Sequence, residues 1–304
     1  MSAAAGGIVG NDIISFGNGN NDSVTAAGGS VISDIISFGN GKNDSVTAAA
    51  GSISGDIITF GTGNGDYVTA GSISGNTIAF GSGSADYVQV GASSHDKITF
   101  NDGSNTTPDY VLVSGDISND TISLGNGKGD YVTAGVAAAV GGSNDTISVG
   151  NGAGDTITLT YTGTIPTGEA TGGDTITTGT GLDTVTVTAH TNPDTFGFAL
   201  GTTASSYTMV TGAHTGDQVI TASHNLAGTS NSNLHDEGTG TNLTSMYNAV
   251  IGAISADKGQ TYIGSDGFNT FIVTDVGGTT ATVGVIELVG VVFDSVATLR
   301  WCGL

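Results

Sequence analysis

Aspartate recurs along this chain in two interleaved sets, each aspartate followed two places on by an apolar residue. The first set is Asp12, Asp34, Asp56, Asp96, Asp120, Asp145, Asp174 and Asp194, with Asn76 filling one place. The second is Asp22, Asp44, Asp66, Asp86, Asp109, Asp130, Asp155 and Asp183. Glycine-rich stretches lead into the second set, as in Gly17-Asn18-Gly19-Asn20-Asn21 and Gly61-Thr62-Gly63-Asn64-Gly65. Such loops expose backbone carbonyls, and carboxylates stacked at close range repel one another unless a positive charge lies between them. The chain carries 5 Lys and Arg against 27 Asp and Glu, a net charge of −22, so its own side chains cannot supply that charge. Carboxylate and carbonyl oxygens are calcium ligands, whereas zinc asks for His and Cys. The expected calcium ligands are therefore the aspartates of both sets from Asp12 to Asp183. The other use of an aspartate in a glycine loop is to accept backbone N–H groups, as in an Asx-turn.

The spacing dictates what must hold these residues. First-set positions are separated by 22, 22, 20, 20, 24, 25, 29 and 20 residues. A unit of about 20 residues holds two strands and two loops, with insertions growing toward the C-terminus. Residues two and four places after an aspartate share its strand face. In the first set these read Ile14 and Phe16, Ile36 and Phe38, Ile58 and Phe60; in the second, Val24 and Ala26, Val46 and Ala48, Val68 and Ala70. A large layer faces a small one, and each unit can bury its apolar face only against its neighbours. The fold expected is all-β: a parallel, β-roll-like solenoid of about eight turns over residues 1–195. A smaller mixed domain follows over 196–304, with one helix from about Leu243 to Ala256 capped by Asn242 and strands near 260–263, 269–274 and 284–291.

Gly179-Thr180-Gly181-Leu182-Asp183-Thr184-Val185 keeps the spacing of a known nonapeptide, and this stretch of repeats resembles the calcium-binding β-roll of RTX proteins. Most other loops carry one residue more, as in Gly125-Asn126-Gly127-Lys128-Gly129-Asp130. The phrases Thr270-Phe271-Ile272-Val273-Thr274 and Ile286-Glu287-Leu288-Val289-Gly290-Val291 are similar to the C-terminal part of RTX-like surface proteins. That resemblance implies export by type I secretion, an extracellular or cell-surface location, and calcium as the bound cofactor.

So acidic a surface repels nucleic acid and anionic lipid, and no apolar run is long enough to span a membrane. Cys302 is the single cysteine and makes no internal disulfide; an intermolecular bridge is its other use. The histidines have no nucleophile or HExxH arrangement around them, and nothing in the chain points to an enzyme. Tyr67, Tyr87, Tyr110 and Tyr131 share one outward position, and Ile13, Ile35 and Ile57 another. Outward apolar stripes mark contact surfaces. The function expected is a secreted structural protein that binds calcium and self-assembles head to tail into a surface layer or filament. The alternative is an adhesin or a carbohydrate- or ice-binding module, with cell-surface polysaccharide as the further candidate partner.

Overall fold

The computed structural model describes residues 1–3, 6–101, 107–137, 144–162, 173–179, 181–188, 194–198, 208–213, 218–221, 234–239, 261–265, 268–275 and 283–289. The chain divides into two units, Met1–Gly172 and Gly173–Leu304. Copies of the phrase from Asp174 on belong to the second unit.

The first unit is a parallel β-solenoid. Its Ile/Phe sheet stacks seven strands in order: Ile13–Ser15, Ile35–Ser37, Ile57–Thr59, Thr77–Phe80, Lys97–Phe100, Thr121–Ser123 and Thr146–Ser148. Ile14, Ile36, Ile58, Ile78, Ile98, Ile122 and Ile147 occupy one register position across all seven. All but Ile14 are fully buried, and each such side chain contributes about 1.5–3 kcal/mol of burial free energy. The opposing sheet aligns Val24, Val46, Val68, Val88, Val111, Val132 and Ile157 in the same way. The phenylalanines stack as a consequence of register. Centroids of Phe16, Phe38, Phe60, Phe80 and Phe100 lie 4.9, 4.8, 4.7 and 4.5 Å apart, close to the strand spacing of a sheet.

A third apolar column lines the core, where the sequence pattern predicts only two layers. Val9, Val31, Ile53, Ile73 and Ile117 are buried three places before first-set aspartates, with Ser93 in the same column. In Ser45–Ser54, Tyr67–Ser74 and Tyr110–Ser118 a single strand runs from the Val/Ala column around a bend into this one. The period-two count misses it because the residue just before each aspartate is left-handed. Asn11, Ser33, Gly55, Gly75, His95, Asn119 and Asn144 hold φ between 52° and 69° there. One residue in that conformation shifts the inward-facing parity by one.

In the second unit the phrase continues through Thr175–Thr178, Thr195–Phe198 and Gln218–Thr221, all parallel. Thr184–Val187 pairs with Thr208–Thr211, which pairs with Val283–Val289. The three C-terminal strands expected from the sequence are present as Thr261–Ser265, Thr270–Asp275 and Val283–Val289, paired antiparallel. The helix expected over 243–256 lies outside the described residues. Among the described residues no helix is long and apolar enough to cross a membrane.

Close stacking also explains the glycines. A Cβ on Gly41, Gly63 or Gly83 would overlap the carbonyl oxygen of the equivalent glycine one turn earlier. Gly63→Ala is therefore expected to cost at least about 1–3 kcal/mol by overpacking. Ala85, a non-glycine at φ 62°, is the opposite case. Ala85→Gly is expected to stabilise by about 1 kcal/mol through release of the left-handed penalty. Chemical denaturation of both variants checks the pair of signs.

Candidate functional site

The aspartates stand at the two corners of each turn, where strand gives way to loop, and the turn-to-turn register brings each set into a column. Asp12 is exposed and Asp22 half-buried. Asp34, Asp44, Asp56, Asp66, Asp86, Asp96, Asp109, Asp120, Asp130, Asp145, Asp155, Asp174 and Asp183 are all buried, as is Asp194. The columns face the inside of the corner, away from solvent.

From the second turn on, one carboxylate oxygen of the column aspartates has a definite job. In the first column the amide of Asp12 donates to Oδ1 of Asp34 at 2.7 Å, that of Asp34 to Asp56 at 2.6 Å, and that of Asp96 to Asp120 at 2.7 Å. Asp120 donates to Asp145 at 2.8 Å, and Asp174 to Asp194 at 3.0 Å. In the second column Asp22 donates to Asp44 at 2.9 Å, Asp44 to Asp66 at 2.9 Å and Asp66 to Asp86 at 2.8 Å. The run continues from Asp86 to Asp109 at 2.8 Å, Asp109 to Asp130 at 2.9 Å and Asp130 to Asp155 at 3.0 Å. Each turn thus caps a backbone donor of the turn before it, where a buried amide would otherwise lack a partner.

The second oxygen is a different matter. Oδ2 of Asp34, Asp44, Asp56, Asp66 and Asp86 is buried without a hydrogen-bond donor. In the second column it lies against the glycine three places earlier. A Cβ on Gly41 would come within 2.9 Å of Oδ2 of Asp44, and one on Gly83 within 2.6 Å of that of Asp86. This contact, with the left-handed Asn21, Asn43, Gly65, Ala85, Gly129 and Gly154 immediately before the aspartate, accounts for the extra residue in the loops.

Two turns show how the second atom can be satisfied. Asn76 accepts the amide of Asp56 at 2.9 Å through Oδ1. Its Nδ2 donates to the carbonyl of Ile53 at 3.0 Å and to Oδ1 of Asp96 at 2.8 Å. Asp96 in turn receives the Ser93 hydroxyl at 3.0 Å and the Ser94 amide at 3.1 Å on Oδ2. Ser93, which breaks the third apolar column, is the donor that this carboxylate needs. Its role escapes a reading confined to the aspartates.

Burial dominates the electrostatics. Desolvation pushes the carboxyls of Asp56, Asp66 and Asp120 up from the usual 3.8 to about 6 and that of Asp86 to about 8. Neighbouring carboxylates add to the rise, Asp66 and Asp109 in the case of Asp86, while the donated amides oppose it. Asp34, Asp44 and Asp96 move in the same direction, again chiefly by burial.

Calcium at these corners would draw on the second carboxylate oxygen and on loop carbonyls, since Oδ1 already accepts an amide. Among the described residues no three acidic, His or Cys side chains gather as a metal site. Calcium takes six to eight oxygens, roughly, and here the carboxylates face inward. The fold and corners define a parallel β-solenoid with internal carboxyl ladders. Comparison with protein families, with curated proteins and with solved structures finds no match.

Folding takes up protons here, because these carboxyls bind them more tightly in the folded chain than in the unfolded one. Their contribution to stability is complete below about pH 4 and is lost as pH rises through about 6 and then about 8. Thermal melting in chelator is expected to fall over that range. Asp86→Asn, which places an amide in the column as Asn76 does, should flatten the upper part of the decline. Asp12→Asn, an exposed site with the same change of charge, should not, and equal effects of the two variants would contradict the assignment.

Proposed function

We propose that this chain is a structural protein that self-assembles through the end of its solenoid. The observation that carries the reading is the N-terminal end. Strand Ile13–Ser15 pairs with Ile35–Ser37 on one side and, among the described residues, with nothing on the other. Ile13 is 80% exposed and Ile8 67%, while the core residues Ile14 and Phe16 are only half-covered. An uncovered edge with apolar residues around it recruits further strands. The outward column continues with Ile35 and Ile57, 44% and 47% exposed, as a lateral contact stripe.

A carbohydrate platform is disfavoured by the tyrosines. Tyr67, Tyr87, Tyr110 and Tyr131 stack with centroids 5.0, 4.9 and 4.8 Å apart and planes within 4° of parallel. Each inner ring covers its neighbours' faces, so the column offers edges and hydroxyls where a sugar would need a face. Secretion and a cell-surface location rest on the resemblance of the C-terminal phrases. Calcium loading rests on the repeat and on the scarcity of cations, and it belongs in the test, not in the mechanism.

Light scattering and negative-stain microscopy, each in calcium and in chelator, test the proposal. Concentration-dependent assemblies in both conditions are expected. A chain that stays monomeric in both overturns the reading. Assemblies and β-structure present only with calcium would restore the aspartates as ligands.

A further inference from the structure

From the direction of the ladder we infer which surface of a second copy covers the open edge: strand Gln218–Thr221, joining parallel to Ile13–Ser15 so that one copy's repeat continues into the next. This rests on the self-assembly reading and names its partner surface.

The hydrogen bonds of the Ile/Phe sheet alternate in sense in a fixed pattern: at the phenylalanine position the earlier turn donates, as from Phe16 to the Ser37 carbonyl at 2.8 Å and from Phe38 to that of Thr59 at 2.9 Å, and just after the aspartate the later turn does. The amide of Ile35 donates to the Asp12 carbonyl at 2.9 Å, that of Ile57 to Asp34 at 2.9 Å, and that of Thr77 to Asp56 at 2.8 Å. The same rule holds in the second unit, where the Thr195 amide donates to the Asp174 carbonyl at 2.8 Å. Each strand thus takes from the turn before it both a carbonyl at the Asp or Asn position and a donated amide at the phenylalanine position. Asp34 and the later first-column aspartates likewise take an amide from the preceding turn. Ile13 and Asp12 stand where no such turn is present among the described residues. The edge is not neutral in type: it lacks what the far side of the same kind of strand presents.

Gln218–Thr221 presents that side. It pairs with Thr195–Phe198 in the register Thr195↔Gln218, Phe196↔Val219, and among the described residues its other edge is unpaired. In sequence it follows Asp217, as Ile13 follows Asp12, and so is written in the same phrase. Docked in the ladder's own register, Gln218 of one copy neighbours Ile13 of the next, and Val219 neighbours Ile14.

A head-to-head pairing of two N-terminal edges would set the aspartate, isoleucine and phenylalanine columns against each other in reversed direction. Head-to-tail pairing keeps their direction, with Val219 at the isoleucine position and Thr221 at the phenylalanine position. Such a contact uses two different surfaces, the heterologous kind from which rings and filaments are built.

Separately prepared Ile13→Cys and Gln218→Cys chains, both carrying Cys302→Ser, would be mixed and oxidised. A disulfide-linked dimer containing one of each is expected, since neighbouring strand positions lie within disulfide reach. Ile13→Pro removes the edge amide without touching the bonds to Ile35–Ser37. It should keep the β-sheet spectrum and raise the critical concentration for assembly roughly tenfold. Assembly without the mixed dimer, or with Ile13→Cys linked to itself, overturns this pairing and leaves self-assembly standing. A chain that never leaves the monomer overturns both.

Discussion

Everything in the solenoid depends on turns packing one strand spacing apart, about 4.8 Å. At that distance strands bond to strands without further help, but corners do not. Loop amides would be trapped inside with no acceptor. The aspartate columns meet this need, since one oxygen from each turn takes the amide of the turn before. The same logic recurs at the surface, where Asn18 accepts the amide of Asn40 at 3.0 Å and Asn40 that of Thr62 at 3.1 Å. Glycine is required beside the columns because the stacked loop backbones leave no room for a Cβ.

Much of this was legible in the residues. The intervals between aspartates announced a solenoid, and the Ile, Phe and Val positions named its two main layers before any coordinates. The third column was hidden by the left-handed residue before each aspartate, which makes Ile53 and Asp56 both face inward although three places apart. The inward direction of the carboxylates was hidden for a related reason. Composition shows that acids are many and cations few, but not whether a carboxylate at a corner turns outward to a loop or inward to an amide. The asparagine at position 76 was the available sign. An amide there makes its two donated bonds without a metal, so the column has a neutral solution.

The cost of the ladder is electrostatic. A carboxylate that accepts one amide and buries its other oxygen beside further carboxylates keeps its proton to higher pH. Asn76 and the Ser93–Asp96 pair relieve that cost in adjoining turns by supplying donors. They belong to the fourth and fifth of the seven stacked turns.

Amide hydrogen exchange, read residue by residue in chelator, tests the ladder most directly. If amide-to-carboxyl bonds hold the corners, the amides of Asp34, Asp44, Asp56 and Asp66 exchange as slowly as those of the strands beside them. Exchange at loop rates in chelator, with protection appearing only when calcium is added, would contradict the ladder and return the corners to the metal.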